Sequence, residues 1–135
     1  MSQENVKVVE SVMHAIDSNG FEGALPLFEA ACDQDVEWIE DASWPDAGIY
    51  RGVEGLRTLL AERTDTFDFD QHTEQLIDAG IDVVAFLRWR GRGAQSGAEA
   101  DMRLAVVFTM RAGKITRVRF YLDRQQALKA VGLEE

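Results

Sequence analysis

Apolar side chains in the first part of the chain recur at helical intervals. Val6, Val9, Met13 and Ile16 fall three or four residues apart, and Asn19-Gly20 supplies a left-handed stop, so an amphipathic first helix is expected over residues 4–18. Phe21, Leu25 and Phe28 give a second, shorter helix its apolar side. Pro26 sits where a helix interior would lose a hydrogen bond, so this segment, 22–31, is expected to start late or to kink. The run Asp35-Val-Glu-Trp-Ile-Glu-Asp41 alternates as a strand does, from Val36 onward. Gly52 to Arg63 returns to the helical period, with Val53, Leu56, Leu59 and Leu60 on one side of a third helix.

From Phe67 onward the period is two. Strands are expected near 68–77, 82–92, 99–111 and 114–122, separated by the turns Asp78-Ala-Gly-Ile81, Gly93-Ala-Gln-Ser-Gly97 and Arg111-Ala-Gly-Lys114, and so paired as antiparallel hairpins. Asp123-Arg-Gln-Gln126 reads as an N-cap with a reciprocal Gln that opens a last helix through Val131, ended by Gly132. Helices first and a meander afterwards is an α+β order, in which helices cover one face of a curved antiparallel sheet and leave a cone-shaped cavity. No repeat, low-complexity run or linker interrupts it, so residues 1–135 are expected to form a single domain.

Composition narrows this further. A chain of 135 residues with 46% hydrophobic content can bury a real core. No segment reaches the ~18 apolar residues of a spanning helix, and Met1-Ser-Gln-Glu-Asn lacks the basic start and apolar run of a signal peptide; the expectation is a cytoplasmic protein with no membrane partner. The lone Cys32 excludes an internal disulfide and reads as a small buried hydrophobe. The net charge of −10 hides an asymmetry: residues 1–80 hold 18 acids against 4 bases, and residues 81–135 hold 6 acids against 10 bases. That split favours packing of an acidic helical layer beside a basic sheet, or pairing of subunits. Nucleic acid is a poor partner for so acidic a chain, and Arg88-Trp-Arg-Gly-Arg-Gly93 alternates like a strand rather than a flexible basic tail. No phosphate loop or metal-ligand spacing is present, so no cofactor and no metal is expected.

Several short motifs sit at matching places along nearly the whole chain: Asp17-Ser-Asn-Gly-Phe21 closing the first helix, Leu27-Phe28, Asp35-Val-Glu-Trp38, Tyr50-Arg-Gly52, Gly113-Lys-Ile115, Tyr121-Leu-Asp123, Ala127-Leu128 and Val131-Gly132-Leu133. On these residues the chain resembles the nuclear transport factor 2-like superfamily, and more narrowly its SnoaL-like and ketosteroid-isomerase-like members. The resemblance implies the cone-shaped α+β fold and a homodimer formed through the exposed sheet face. It implies less about chemistry, because that superfamily includes isomerases, cyclases, dehydratases, epoxide hydrolases and proteins with no catalysis.

Carried across residue by residue, the ketosteroid isomerase site is incomplete. Its helix-one tyrosine falls near Val12, its oxyanion aspartate near Val106 and its base at Trp38, with Glu40 two residues on along the same strand face. Proton abstraction beside a carbonyl needs both a base and a donor aimed at the forming enolate, so at most half of that machinery is kept. The resemblance to SnoaL-type cyclases implies a pocket acid, for which Glu40 and Asp41 are the candidates, with His14 or Tyr50 as a second polar group. An epoxide hydrolase of the limonene type uses two aspartates and an arginine. Asp101, Arg103 and Asp123 are the right residue kinds in the wrong setting, since the first two alternate away from Met102, Leu104 and Val106 and the third reads as a helix cap.

Alternation puts Arg88, Arg90 and Arg92 on one face with Val84 and Phe86, and Trp89 on the other with Val83, Ala85 and Leu87; matching to the isomerases would instead turn Phe86 and Arg88 inward. The expected cavity is lined by Trp38, Phe86, Met102, Val106, Phe108, Phe120 and Leu122, with Trp44 and Tyr50 near its mouth. Such a wall suits a small hydrophobic ligand. Two functions follow: an acid/base isomerase or cyclase acting on a hydrophobic carbonyl compound through Glu40 or Asp41, and a non-catalytic ligand-binding or dimerisation module in which those acids are merely solvated.

Overall fold

A computed structural model of the chain describes residues 2–44, 47–93 and 97–133, and their side chains apart from those of residue 2 and residues 63–68. The elements run α1 (Ser2–Ala31), β1 (Cys32–Ile39), β2 (Ile49–Arg51), α2 (Gly52–Thr66), β3 (Phe67–Ala79), β4 (Asp82–Gly93), β5 (Glu99–Arg111), β6 (Lys114–Tyr121) and α3 (Arg124–Ala130). The helical run of α1 is broken at Gly20, whose φ of 76° and ψ of 175° lie outside helical space. This is the stop read from Asn19-Gly20, and it divides α1 into a first part burying Val9, Val12, Met13 and Ile16 and a second burying Ala24 and Phe28. The chain can turn there because a glycine adopts that φ without a Cβ penalty.

The sheet is six-stranded, in the order β2-β1-β6-β5-β4-β3. β3 to β6 form the expected antiparallel meander, with Trp89 opposite Met102, and Val106 opposite Phe120. The expected turn at 93–97 lies partly outside the described residues. The sheet as a whole is mixed rather than antiparallel, because β1 pairs parallel to β6, with Trp38 opposite Val118. Residues 40–113 separate these strands, and a long connection of that kind permits parallel pairing where a hairpin forbids it. β1 also starts at Cys32, earlier than Val36, and carries a register shift before Glu37. Three-residue β2 was not anticipated; it is too short to show a period, and it pairs antiparallel with β1, Tyr50 opposite Trp38.

Further register shifts in β3 and β5 add to that in β1. Bulges increase local twist and bend, which curves the sheet around the helices. The concave face carries Val83, Ala85, Leu87, Leu104, Val106, Phe108 and Val118 against α1 and α2. The convex face carries Val84, Ala105 and Val107 beneath Ala127 of α3. α3 is capped as its sequence indicates, Asp123 Oδ1 accepting from the Gln125 N–H at 2.8 Å. The two charge-divergent halves meet within the chain: Arg117 pairs with Glu37 at 3.3 Å, and Arg124 pairs with Glu74.

Beyond the last rung between β1 and β6, one side chain continues the connection. Asp41 Oδ2 accepts from the Leu122 N–H at 2.8 Å, while Oδ1 accepts from the Ser43 N–H at 2.9 Å and the Ser43 hydroxyl at 2.8 Å. These donors, the Leu122 N–H foremost, hold the Asp41 carboxyl below its ordinary value. A depressed folded-state value means that the stabilisation is fully present above the unfolded value, about 3.9, and is lost as pH falls through the folded one. Asp41→Asn is therefore expected to lower stability at pH 7 by about 1–2 kcal/mol, hydrogen bonds to a charged group being worth ~1.5–3 kcal/mol when buried and this carboxyl being partly exposed. Urea unfolding should show the gap to wild type closing below about pH 4; a gap of equal size at both ends of that range would mean that the anion is not its source.

Candidate functional site

The concave face is filled by α1 at one end of the sheet and hollow at the other. A cavity of about 350 Å³ opens there. The topology explains why its walls come from five strands at once: β1, β6 and β4 run one way and β5 and β3 the other, and the register sets Trp38 near Phe120, Phe120 opposite Val106, and Met102 opposite Trp89, with Leu87 and Phe69 beside them. Leu104, Val106, Phe108 and Val118 make its floor, Leu122 closes the β6 side, and Leu56, Leu59 and Leu60 of α2 with Met13 and Ile16 of α1 close the helical side.

Aromatic rings give the cavity its shape. Trp38 meets Phe28 edge-on at 5.2 Å between centroids, and Phe28 leans on Phe108 at 6.5 Å. On the other side Trp89 and Phe69 meet at 4.5 Å between centroids with their planes tilted by 33°, and Phe21 is edge-on to both. Such edge and tilted pairs contribute about 0.5–1.5 kcal/mol each beyond their burial, so the rings brace one another around the hollow. All three tryptophans of the chain, Trp38, Trp44 and Trp89, border it.

Two acidic residues border this space. β1 ends at Ile39, so strict alternation does not extend to the next residues, and Glu40 and Asp41 both border the cavity instead of facing opposite ways as their spacing had indicated. Their surroundings separate them. Asp41 is held as an anion by three donors, the state least suited to accepting a proton. Glu40 Oε1 accepts from the Gly48 N–H at 3.1 Å, and the Glu40 N–H donates to the Gly48 carbonyl at the same distance, so its backbone is fixed across the loop at the edge of an apolar chamber that the residue borders.

A third polar group was missed. Gln71 of β3 is 7% exposed and is the one buried polar side chain among the described residues. Its Oε1 accepts from the Trp89 indole N–H at 3.0 Å, and its Nε2 donates to Asp17 Oδ1 at 3.1 Å. The signal available was period two: Gln71 alternates with Phe69, and an inward Phe69 carries Gln71 inward with it.

The other residues singled out from sequence lie elsewhere. Phe86 is on the convex face, packed with Val84, Ala105 and Ala127 and covered by the Arg124 guanidinium at 4.6 Å. Its strand alternation, rather than the family match, describes its direction, and its place in the expected cavity wall is corrected accordingly. His14 is exposed on α1. Tyr50 packs on the core beside α2 and donates its hydroxyl to Glu62 Oε2 at 2.6 Å, and it is not among the lining residues. Arg88 grips Asp101 on the convex face through bonds of 2.8 and 2.6 Å, which hold Asp101 below the usual carboxylate range; with Arg103 exposed and Asp123 capping α3, these residues do not assemble in the cavity. Burial pushes the Cys32 thiol up to about 12, far from a nucleophile's range. Among the described residues no three His, Cys, Asp or Glu side chains gather as a metal site, and no helix is long and apolar enough to cross a membrane.

In fold the chain is similar to several solved structures. An NTF2-like protein from Burkholderia thailandensis has a TM-score of 0.76 at 24% identity, over 93% of this chain and 95% of the other. TerC, co-crystallised with polyporic acid, has a TM-score of 0.73 at 21% identity, over 96% and 98%. A protein of ketosteroid isomerase-like fold from Catenulispora acidiphila, in complex with trimethylamine, has a TM-score of 0.69 at 15% identity, over 90% and 92%. No curated protein matches the chain. The model of the SnoaL-like domain family matches residues 9–118, from the first buried turn of α1 to Val118 in β6, and the chain belongs to that family.

Proposed function

We propose that this chain binds a small hydrophobic carbonyl compound in its cavity and moves a proton on it, in the manner of an isomerase or cyclase, with Glu40 as the acid/base group. The observation that carries the reading is the placing of one carboxylate, Glu40, at an apolar chamber of about 350 Å³ while its neighbour Asp41 is tied off. That volume is at the lower end of the range for small-molecule sites, roughly 300–1,000 Å³. A proton next to a carbonyl is removed by a base held within reach of it in a site that excludes water, and the apolar wall supplies that exclusion. The co-crystal of TerC with polyporic acid and the complex of the Catenulispora protein with trimethylamine support small-ligand binding by proteins of this fold.

A second reading has its own observation. Glu40 also braces the loop through Gly48, and a carboxylate retained for that purpose belongs to a non-catalytic binding module. The two readings diverge on 2-tetralone, a bicyclic ketone with exchangeable protons beside its carbonyl. Binding is followed by tryptophan emission, which should shift because all three tryptophans border the cavity; Trp44→Phe should lose part of the response and keep the affinity. In D2O, NMR should show protein-catalysed exchange of the ketone's α-protons. Glu40→Gln should slow that exchange by roughly 10²-fold or more with affinity unchanged, because the amide keeps the shape and cannot accept the proton. Binding without exchange in wild type selects the non-catalytic module, and exchange at wild-type rate in Glu40→Gln removes Glu40 from the mechanism.

The proposal extends to a homodimer through the part of the convex sheet face that α3 leaves uncovered, where Arg90 and Asp101 are exposed. Sedimentation should give twice the chain mass at tens of micromolar protein in moderate salt, since a specific interface normally buries more than ~1,000 Å² and survives such dilution. A monomer under those conditions sinks this part.

A further inference from the structure

Donor groups on the cavity wall are few, and most are committed within the protein. The Trp38 indole N–H donates to the Gly52 carbonyl at 3.0 Å, and the Trp89 indole N–H to Gln71 Oε1 at 3.0 Å. Gln71 is different. An indole N–H can only donate and a carboxylate can only accept, so the amide has one workable orientation: Oε1 toward Trp89 and Nε2 toward Asp17. Reversing it would set donor against donor and acceptor against acceptor. Asp17 is itself held in place, accepting from the Thr73 N–H at 3.1 Å and the Thr73 hydroxyl at 3.0 Å.

This leaves the second N–H of the amide. Its partner is the thioether of Met13, with Nε2 3.5 Å from Sδ, and both Met13 and Gln71 border the cavity. A thioether is a weak acceptor. Because the Gln71 amide is already out of water, a carbonyl oxygen arriving beside Met13 replaces a poor bond with a good one and adds no desolvation of the donor.

We infer that Gln71 is the specificity-determining donor of the cavity, giving its second amide N–H to a ligand carbonyl oxygen, with Asp17 and Trp89 as the positioning residues that hold the amide in register. The inference rests on the cavity being the ligand site proposed above, and it specifies the ligand class as an apolar ring compound bearing a ketone or quinone oxygen, seated with that oxygen against the β3–β4 wall. A hydrocarbon of the same shape fills the cavity and leaves the amide with sulfur alone.

The test is a matched pair, 9-fluorenone and fluorene, which differ in the carbonyl. Wild type should bind fluorenone roughly 5- to 10-fold more tightly, the worth of one net hydrogen bond. Infrared spectra should show the bound carbonyl stretch at lower wavenumber than in hydrocarbon solvent. Gln71→Leu should still bind fluorene, lose the preference and return the stretch to its unbonded position. Equal affinity for the pair in wild type, or a preference that survives Gln71→Leu, overturns the inference and leaves the cavity reading standing. Failure to bind either compound overturns both. Should Gln71→Leu not fold, Met13→Leu decides, since a volume-conserving exchange is tolerated in a core. It removes the competing sulfur, so a widened preference for fluorenone supports the inference, and an unchanged or narrowed one overturns it.

Discussion

Trp38 is the side chain on which the arrangement depends. It has no exposed surface, and an indole buried so completely must place its N–H on an acceptor. The acceptor is the carbonyl of Gly52, the first residue of α2. That bond fixes where α2 begins relative to β1, while the edge contact with Phe28 fixes the second part of α1. Gly52 in turn has a φ of +69°, with the Gln34 carbonyl 3.2 Å from where a Cβ would stand, so the chain can turn into α2 this close to β1 only with glycine there. One buried ring thereby sets the spacing of two helices from the sheet, and the hollow between them follows from that spacing.

Polar groups are admitted to this hollow on different terms. Asp41 is occupied with the structure, linking the ends of β1 and β6. Gln71 is occupied on two sides and loosely bonded on the third. Glu40 holds the loop that follows β1 and borders the chamber as well. The order of these commitments, rather than the identity of the residues, divides the roles proposed for them: a carboxylate with three donors resists protonation, whereas an amide with a sulfur neighbour has a bond it can exchange.

Charge acts on the surface more than in the core. Exposed pairs such as Arg92 with Glu99 contribute little to stability, typically well under ~1 kcal/mol. The pairs that join the acidic and basic halves of the chain, Arg117 with Glu37 and Arg124 with Glu74, bridge β6 to β1 and α3 to β3, and so act on orientation between elements. They satisfy part of the charge asymmetry inside a single chain, which removes part of the electrostatic motive for subunit pairing.

Local pattern determined a great deal. The helical break at Gly20, the four long strands, the cap at Asp123 and the inward direction of Trp38, Met102, Val106, Phe108 and Phe120 all follow from period and turn chemistry, because each depends on neighbours within a few residues. The direction of Phe86 was equally legible from its alternation with Leu87. The parallel pairing of β1 with β6, the short β2 and the fate of the two acids were decided by tertiary structure. Pairing between strands separated by residues 40–113 leaves no periodic trace, and a three-residue strand has no period to read. Glu40 and Asp41 are adjacent carboxylates that sequence treats nearly alike; the Leu122 N–H that Asp41 holds lies 81 positions away in the chain, and an amide's value as a donor, as at Gln71, depends on what Asp17 and Trp89 have already taken from it.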